Sequence, residues 1–258
     1  MANRLYRVKI LFALNKDIRK EIEWLNETAL THLKNYQIWH HRQTLIDKLD
    51  SADGESEFLA QMFEKDAKNY HVWSYRQWLV KRFGLWDSGE LEEVEKLLKK
   101  DIRNNSAWNH RWFLVFGKDP STFEDADTVG RELEFVKVRC DAMMPTDSSR
   151  YVKTAIRLAP QNPSPWNYFR GILRTAKRPA SSEKDFVEEF ASLERPNEIR
   201  SSHALDVLSE ILVTQEQGVE QARKALDLLA TTYDPIRANY WEYRKSQLQP
   251  VSETTASA

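Results

Sequence analysis

The sequence has a single cysteine, Cys140, in 258 residues. A disulfide framework within the chain is therefore excluded, as is a zinc site built from several of its own thiolates. That composition points to a reducing compartment. Glycine and proline are also scarce, at 7 and 9 residues, so long helices can run with few forced breaks. Charge of neither sign dominates: 38 basic against 39 acidic residues leave a net charge of −1. Such a balance gives no reason to expect nucleic acid or an anionic membrane as partner. No run of about 18 apolar residues occurs, so no helix is expected to span a bilayer. The opening "MANRLYRVKILFALNKD" is basic up to Asp17, but its apolar core "ILFAL" is too short for a secretory signal. Cytoplasmic residence is the expectation.

What is present is a repeat. Hydrophobic residues make up 41% and charged residues 30%, the balance of a globular chain. Lys34 opens "KNYQIWHHRQ" and Lys68 opens "KNYHVWSYRQ", and "NNSAWNHR" follows from Asn104. Aligned on tryptophan, the units centre on Trp39, Trp73, Trp108, Trp166 and Trp241. The first intervals, 34 and 35 residues, have the length of two helices and two turns. A tryptophan-free unit is expected near "SSHALDVLSEIL".

Apolar positions Ile18, Ile22, Leu25, Ala29 and Leu33 step by three and four, one face of a helix, and Trp39, Arg42, Ile46 and Leu49 continue on a second. The next two units repeat this pattern, and no alternating strand pattern competes with it. The fold class expected is all-α: a right-handed α-α superhelix, a crescent-shaped solenoid of helical hairpins with repeats of tetratricopeptide length. Residues 1–248 read as one helical-repeat domain with an insertion near 137–150, and 249–258 read as a disordered tail.

In Trp-x-x-Arg the indole and guanidinium share a helix face, and the residue before the arginine carries a ring in His41, Tyr75, His110 and Tyr243. These positions read as packing. Asn35, Asn69 and Asn105 sit in the links and read as N-caps. Tyr36, Gln37, Tyr70 and His71 then fall in first helical turns, with Lys34 just before its cap.

A solenoid aligns equivalent positions, so these helix starts should form a row. Each offers unpaired N–H groups and partial positive charge, which suits an anion. Lys34, Tyr36, Tyr70 and His71 add the donors suited to a diphosphate. The bland alternative stays open at this point: a solvated lysine, and tyrosines acting as hydrophobic staples. His40 and His41 point about 100° apart on a helix and cannot chelate one ion together. No metal site is expected in this chain.

The phrases "KNYQIWHHRQ", "DAKNYHVWSYRQWLVKRFGLWD", "RNNSAWNHRWF" and "NPSPWNYFRGIL" resemble the α subunit shared by protein farnesyltransferase and protein geranylgeranyltransferase type I, over roughly Asn15 to Leu248. The resemblance implies a heterodimeric CaaX prenyltransferase in which a β subunit holds the catalytic zinc and most of the isoprenoid pocket. Magnesium is implied for the farnesyl reaction. The partners implied are that β subunit, a prenyl diphosphate and CaaX-protein substrates. The choice between C15 and C20 chains lies with the β subunit.

Carried over by motif, Lys34 would touch the phosphate nearest the reacting carbon, and Tyr70 and His71 would face the diphosphate. Gln37 would bind the peptide's terminal carboxylate, and Tyr36 would line the peptide site. The family usually carries one more repeat before "KNYQ", of which "LYRVKILFALNKD" looks like a remnant. Loss of that repeat would expose an apolar helix face. The runner-up readings are the Rab geranylgeranyltransferase α subunit and a non-catalytic peptide-binding scaffold.

Overall fold

A computed structural model describes residues 2–137, 155–215 and 218–248. The expected insertion near 137–150 and the expected tail at 249–258 lie outside the described residues, apart from Lys137. Two compact units divide the chain, residues 1–118 and 119–258.

The first unit contains α1 (Ala2–Ala13), α2 (Ile18–Thr31), α3 (Tyr36–Leu49), α4 (Glu55–Lys65), α5 (Tyr70–Phe83), α6 (Glu90–Lys100) and α7 (Asn105–Phe116). Helices α2 and α3, α4 and α5, and α6 and α7 pack as hairpins, while α1, α3, α5 and α7 lie side by side in that order. The apolar stripes decide which faces meet. Leu25 and Ala29 of α2 are buried, as are Ile38, Trp39, Leu45 and Ile46 of α3, and Phe58, Leu59, Met62 and Phe63 of α4. At roughly 1.5–3 kcal/mol for each fully buried large side chain, this packing far outweighs intrinsic helix propensity. Gly84 ends α5 in the left-handed conformation at φ 68°, and Asp50 does the same for α3 at φ 52°.

The second unit contains α8 (Ala126–Lys137), α9 (Ala155–Leu158), α10 (Pro163–Thr175), α11 (Lys184–Glu188), α12 (Ser202–Val213), α13 (Val219–Leu228) and α14 (Ala238–Ser246). The tryptophan-free unit is the hairpin of α12 and α13. Buried residues lie on every side of α12, which α10, α11 and α13 surround. Among the described residues there is no β-strand. The chain is an all-α solenoid of helical hairpins.

Two sequence expectations need correction. Asn105 is the first residue of α7, not its cap; Asn104 is the cap, its Oδ1 accepting from the amides of Ser106 and Ala107 at 3.1 and 3.3 Å. The constant step of four residues from cap to tryptophan selects Asn104 as well. Tyr243 is not packed either: it is 61% exposed, whereas His41, Tyr75 and His110 are buried.

Candidate anion site on a row of helix starts

Three links connect the helices of the first-unit hairpins, and each ends in an asparagine. Asn35 Oδ1 accepts from the Gln37 amide at 3.1 Å, and Asn69 Oδ1 accepts from the His71 amide at 3.0 Å. The side chains of these two caps each satisfy one amide of the first turn, and a helix start carries further amides without an intrahelical partner. The same asparagines join one link to the next. Asn69 Nδ2 donates to the Leu33 carbonyl at 2.9 Å, and Asn104 Nδ2 donates to the Ala67 carbonyl at 2.9 Å. The starts of α3, α5 and α7 are thereby laid side by side.

All five expected site residues stand on this row. Tyr36 is 52% exposed and Tyr70 76% exposed. Lys34 is exposed, while Gln37 and His71 are half-buried. The rings of Tyr70 and His71 meet edge-on with centroids 5.6 Å apart. Asn69, next to Tyr70, bonds Leu33, next to Lys34, so the two motif segments are adjacent through their backbones. None of the five side chains has a hydrogen bond or ion pair among the described residues. By contrast, Lys68, the equivalent of Lys34 one repeat later, pairs with Asp101 at 2.8 Å. Two lysines in one sequence phrase thus differ in state: one is neutralised and one is free.

Repeats and hairpins of this kind are matched by the family model "Protein prenyltransferase alpha subunit repeat" at residues 18–49, 53–83, 87–117 and 150–176. The Candida albicans "Protein farnesyltransferase/geranylgeranyltransferase type-1 subunit alpha" is 41% identical over 96% of this chain and 77% of its own length. The Dictyostelium discoideum subunit of the same name is 36% identical, over 93% and 71%. The chain belongs to the protein prenyltransferase α-subunit family. Among solved structures, Candida albicans protein geranylgeranyltransferase-I complexed with GGPP superposes with a TM-score of 0.83 at 37% identity, covering 95% of this chain and 78% of that one.

The prenyltransferase repeats also carry a feature that reading for apolar stripes misses. Glu21, Glu55 and Glu90 each stand 18 residues before Trp39, Trp73 and Trp108. Each of these carboxylates is buried. Arg42 grips Glu55 with two bonds of 2.8 and 2.6 Å, and the Tyr75 hydroxyl donates to it at 2.7 Å. Arg76 Nε donates to Glu90 at 2.7 Å, with His110 Nε2 at 3.4 Å from the same carboxylate. In the same way Arg7 and His41 meet Glu21 at 2.5 and 3.0 Å. Tyr168 donates to Glu132 at 2.8 Å in the second unit. The arginine of one repeat is thus neutralised by the next repeat's glutamate, which the next ring-bearing residue also contacts. Arg7 plays this role from α1, which fits α1 as the second helix of a preceding hairpin. Tyr6, Ile10 and Leu14 of that segment are exposed, at 65%, 54% and 61%.

Electrostatics follow from this ladder. Burial alone would raise the Glu90 carboxyl, but hydrogen bonds from His110 and Arg76 hold it below the usual carboxylate range. Burial pushes the His110 imidazole down. The Tyr75 phenol is driven well above its ordinary value by burial and then by Glu55, so it remains a donor. As for metals, no group of three or more His, Cys, Asp or Glu side chains is arranged to hold an ion among the described residues. Nor is any described helix long and apolar enough to cross a membrane.

Proposed function

We propose that this chain is the α subunit of a heterodimeric CaaX protein prenyltransferase of the farnesyl and geranylgeranyl type I kind, active only when joined to a β subunit. The observation that carries the site assignment is the unpaired Lys34 ammonium, set among free donors on the row of helix starts while Lys68 is held by Asp101. An anion there meets first-turn amides of α3 and α5 and the side chains of Tyr70 and His71. As the bond between the prenyl C1 and the diphosphate oxygen breaks, negative charge builds on the leaving group. A free ammonium beside it stabilises that transition state more than the ground state. Gln37 offers an amide to the terminal carboxylate of the acceptor peptide, and Tyr36 lines that peptide's path.

Zinc belongs to the partner's site and would supply the acceptor as a thiolate when bound, and magnesium would serve the farnesyl reaction. Among the described residues the donor set does not fit a zinc ion. The solved relative holds GGPP, so an isoprenoid diphosphate is the substrate class to test.

The experiment is co-expression with a β subunit, followed by single-turnover labelling of a CaaX peptide. Lys34→Ala should lower the rate roughly 10²–10³-fold, the loss typical of one preorganised donor, with diphosphate binding changed far less. Lys68→Ala, which removes a lysine already paired, should cost much less. A near-wild-type rate in Lys34→Ala would remove Lys34 from the chemistry. Prenylation by the isolated chain would contradict the α-subunit reading.

A further inference from the structure

In α3, α5 and α7 the ring-bearing residue before the arginine is His41, Tyr75 or His110. Each is buried and meets a glutamate of its own hairpin's first helix. Helix α1 carries the same pair as Tyr6 and Arg7. Arg7 meets Glu21 of the next hairpin at 2.5 Å, as Arg42 meets Glu55, and α1 packs on α3 as α3 packs on α5. Tyr6 therefore holds the place of His41 and Tyr75. Its hydroxyl nevertheless has no hydrogen bond among the described residues, and the side chain stands open to solvent.

The exposure follows the repeat. Four residues after the ring come Leu45, Leu79 and Leu114, all buried, whereas α1 has the exposed Ile10 at that step. The open face of α1 is thus the face that α3, α5 and α7 bury. In those helices the ring is met by a first helix of constant chemistry. Glu21, Glu55 and Glu90 are each followed by buried apolar residues four and eight positions on: Leu25 and Ala29, Leu59 and Phe63, Val94 and Leu98. Helix α1 has basic residues at Arg4, Arg7 and Lys9 and no acid, so a helix bearing a glutamate is also its electrostatic complement.

Arg7 is short of a partner in the same way. Arg42 and Arg111, both buried, each take a further acceptor from their own first helix, five residues after its glutamate: Asn26 at 2.6 Å and Glu95 at 2.9 Å. Arg7 has Glu21 as its one hydrogen-bond partner among the described residues, and its side chain is 49% exposed. We propose that Tyr6, Arg7 and Ile10 form a docking face for an amphipathic helix that carries a glutamate for the Tyr6 hydroxyl and, five residues later, a polar acceptor for Arg7. The docked helix takes the place on α1 that α2 holds on α3. It continues the buried ladder one step before Glu21.

A fluorescein-labelled peptide of residues 17–32, which holds Glu21 and Asn26, is the probe, read by anisotropy against the full chain. Saturable binding below about 1 mM is expected, and Ile10→Asp should weaken it about tenfold. Tyr6→Phe in the chain, or Glu21→Gln in the peptide alone, should each weaken it about tenfold, because a hydrogen bond to a charged group is lost. Together they should cost little more than either one, since both remove the same contact. Tyr6 and Ile10 are more than half exposed, so neither variant should unfold the chain. Losses that multiply would show that phenol and carboxylate do not meet, and overturn the proposal. So would a failure to saturate, or binding that Ile10→Asp leaves unchanged. Sedimentation of the chain alone tests another occupant: self-association abolished by Ile10→Asp would assign the face to a second copy and overturn the docked helix.

Discussion

Replacing Glu55 by Gln keeps the shape of the side chain and removes its charge. Arg42, 1% exposed, would then be left as a buried cation with only Asn26 and the Phe58 ring for company; its Nη1 lies 2.6 Å from Asn26 Oδ1 and its Cζ lies 3.7 Å from the ring centroid. Stripping one partner from a buried pair costs about 3–5 kcal/mol. That is a large share of the roughly 5–15 kcal/mol that holds a domain together. The converse also follows. Arg42→Met, Glu55→Leu and Tyr75→Phe together remove both charges and the hydroxyl that would be stranded, so the triple variant should lose less than Glu55→Gln alone. Urea unfolding read by tryptophan fluorescence suits the comparison. Seven of the nine tryptophans (Trp24, Trp39, Trp73, Trp78, Trp86, Trp108 and Trp112) lie in the first unit, so the signal reports that unit. A Glu55→Gln loss below about 1 kcal/mol would refute the assignment of a dominant buried-charge term. So would a triple variant that unfolds at lower urea than the single one.

Acid should weaken the first unit in two stages. His110 is held below its ordinary value, so its share of stability is complete above about pH 6.5 and declines as pH falls past that point. Glu90 is also depressed, so its share is present above about pH 4.3 and is lost as pH drops through its folded-state value. Urea midpoints taken from pH 7.5 to 4 should therefore fall, and His110→Phe should flatten the upper stage; a level midpoint between pH 7.5 and 5.5 in the parent would contradict this. At Asn69, substitution by Ala removes both the cap and the bond to Leu33, costing about 2–3 kcal/mol, whereas Asp keeps the cap and should cost about 1 kcal/mol. Chemical denaturation in which the Asp variant loses as much as the Ala variant would show that the bond between links, not the cap, matters most.

The helical hairpins were legible because period and burial coincide: Trp39, Trp73, Trp108 and Trp166 recur in the sequence and all four are buried. The caps Asn35 and Asn69 were legible because a cap is a local device, set by one side chain and an amide two residues on. Position by position, "KNYQ" and "KNYH" located the row. Glu55 and Glu90 were not legible by apolar periodicity, since a lone glutamate at a helix start looks like a favourable charge on a solvated surface. Its burial depends on an arginine from the preceding repeat and a ring from its own second helix, separations of 13 and 20 residues for Glu55. The difference between Lys34 and Lys68 was hidden for another reason. Both are written Lys-Asn-Tyr, and what separates them is a pairing that only the fold brings about, Lys68 on Asp101 from the next link.

The buried ladder and the exposed row are not independent. Glu55, from α4, is the carboxylate that touches both helices bearing the candidate site, through Arg42 of α3 and Tyr75 of α5. Gln37 and His71 sit in the first turns of those same two helices, each bound to its cap. Their separation is therefore fixed twice, once at the rim by Asn69 on Leu33 and once inside by Glu55. Lys34, on the link outside α3, is tied at the rim through its neighbour Leu33 but not to the interior carboxylate. Loosening the interior should thus disturb Gln37 and His71, the proposed substrate contacts, before it disturbs the proposed diphosphate contact Lys34. In a folded holoenzyme assayed well below its unfolding temperature, Tyr75→Phe should raise the KM for peptide and leave kcat nearly unchanged, the reverse of Lys34→Ala. If Tyr75→Phe lowers kcat and spares KM, the two layers are not coupled in this way.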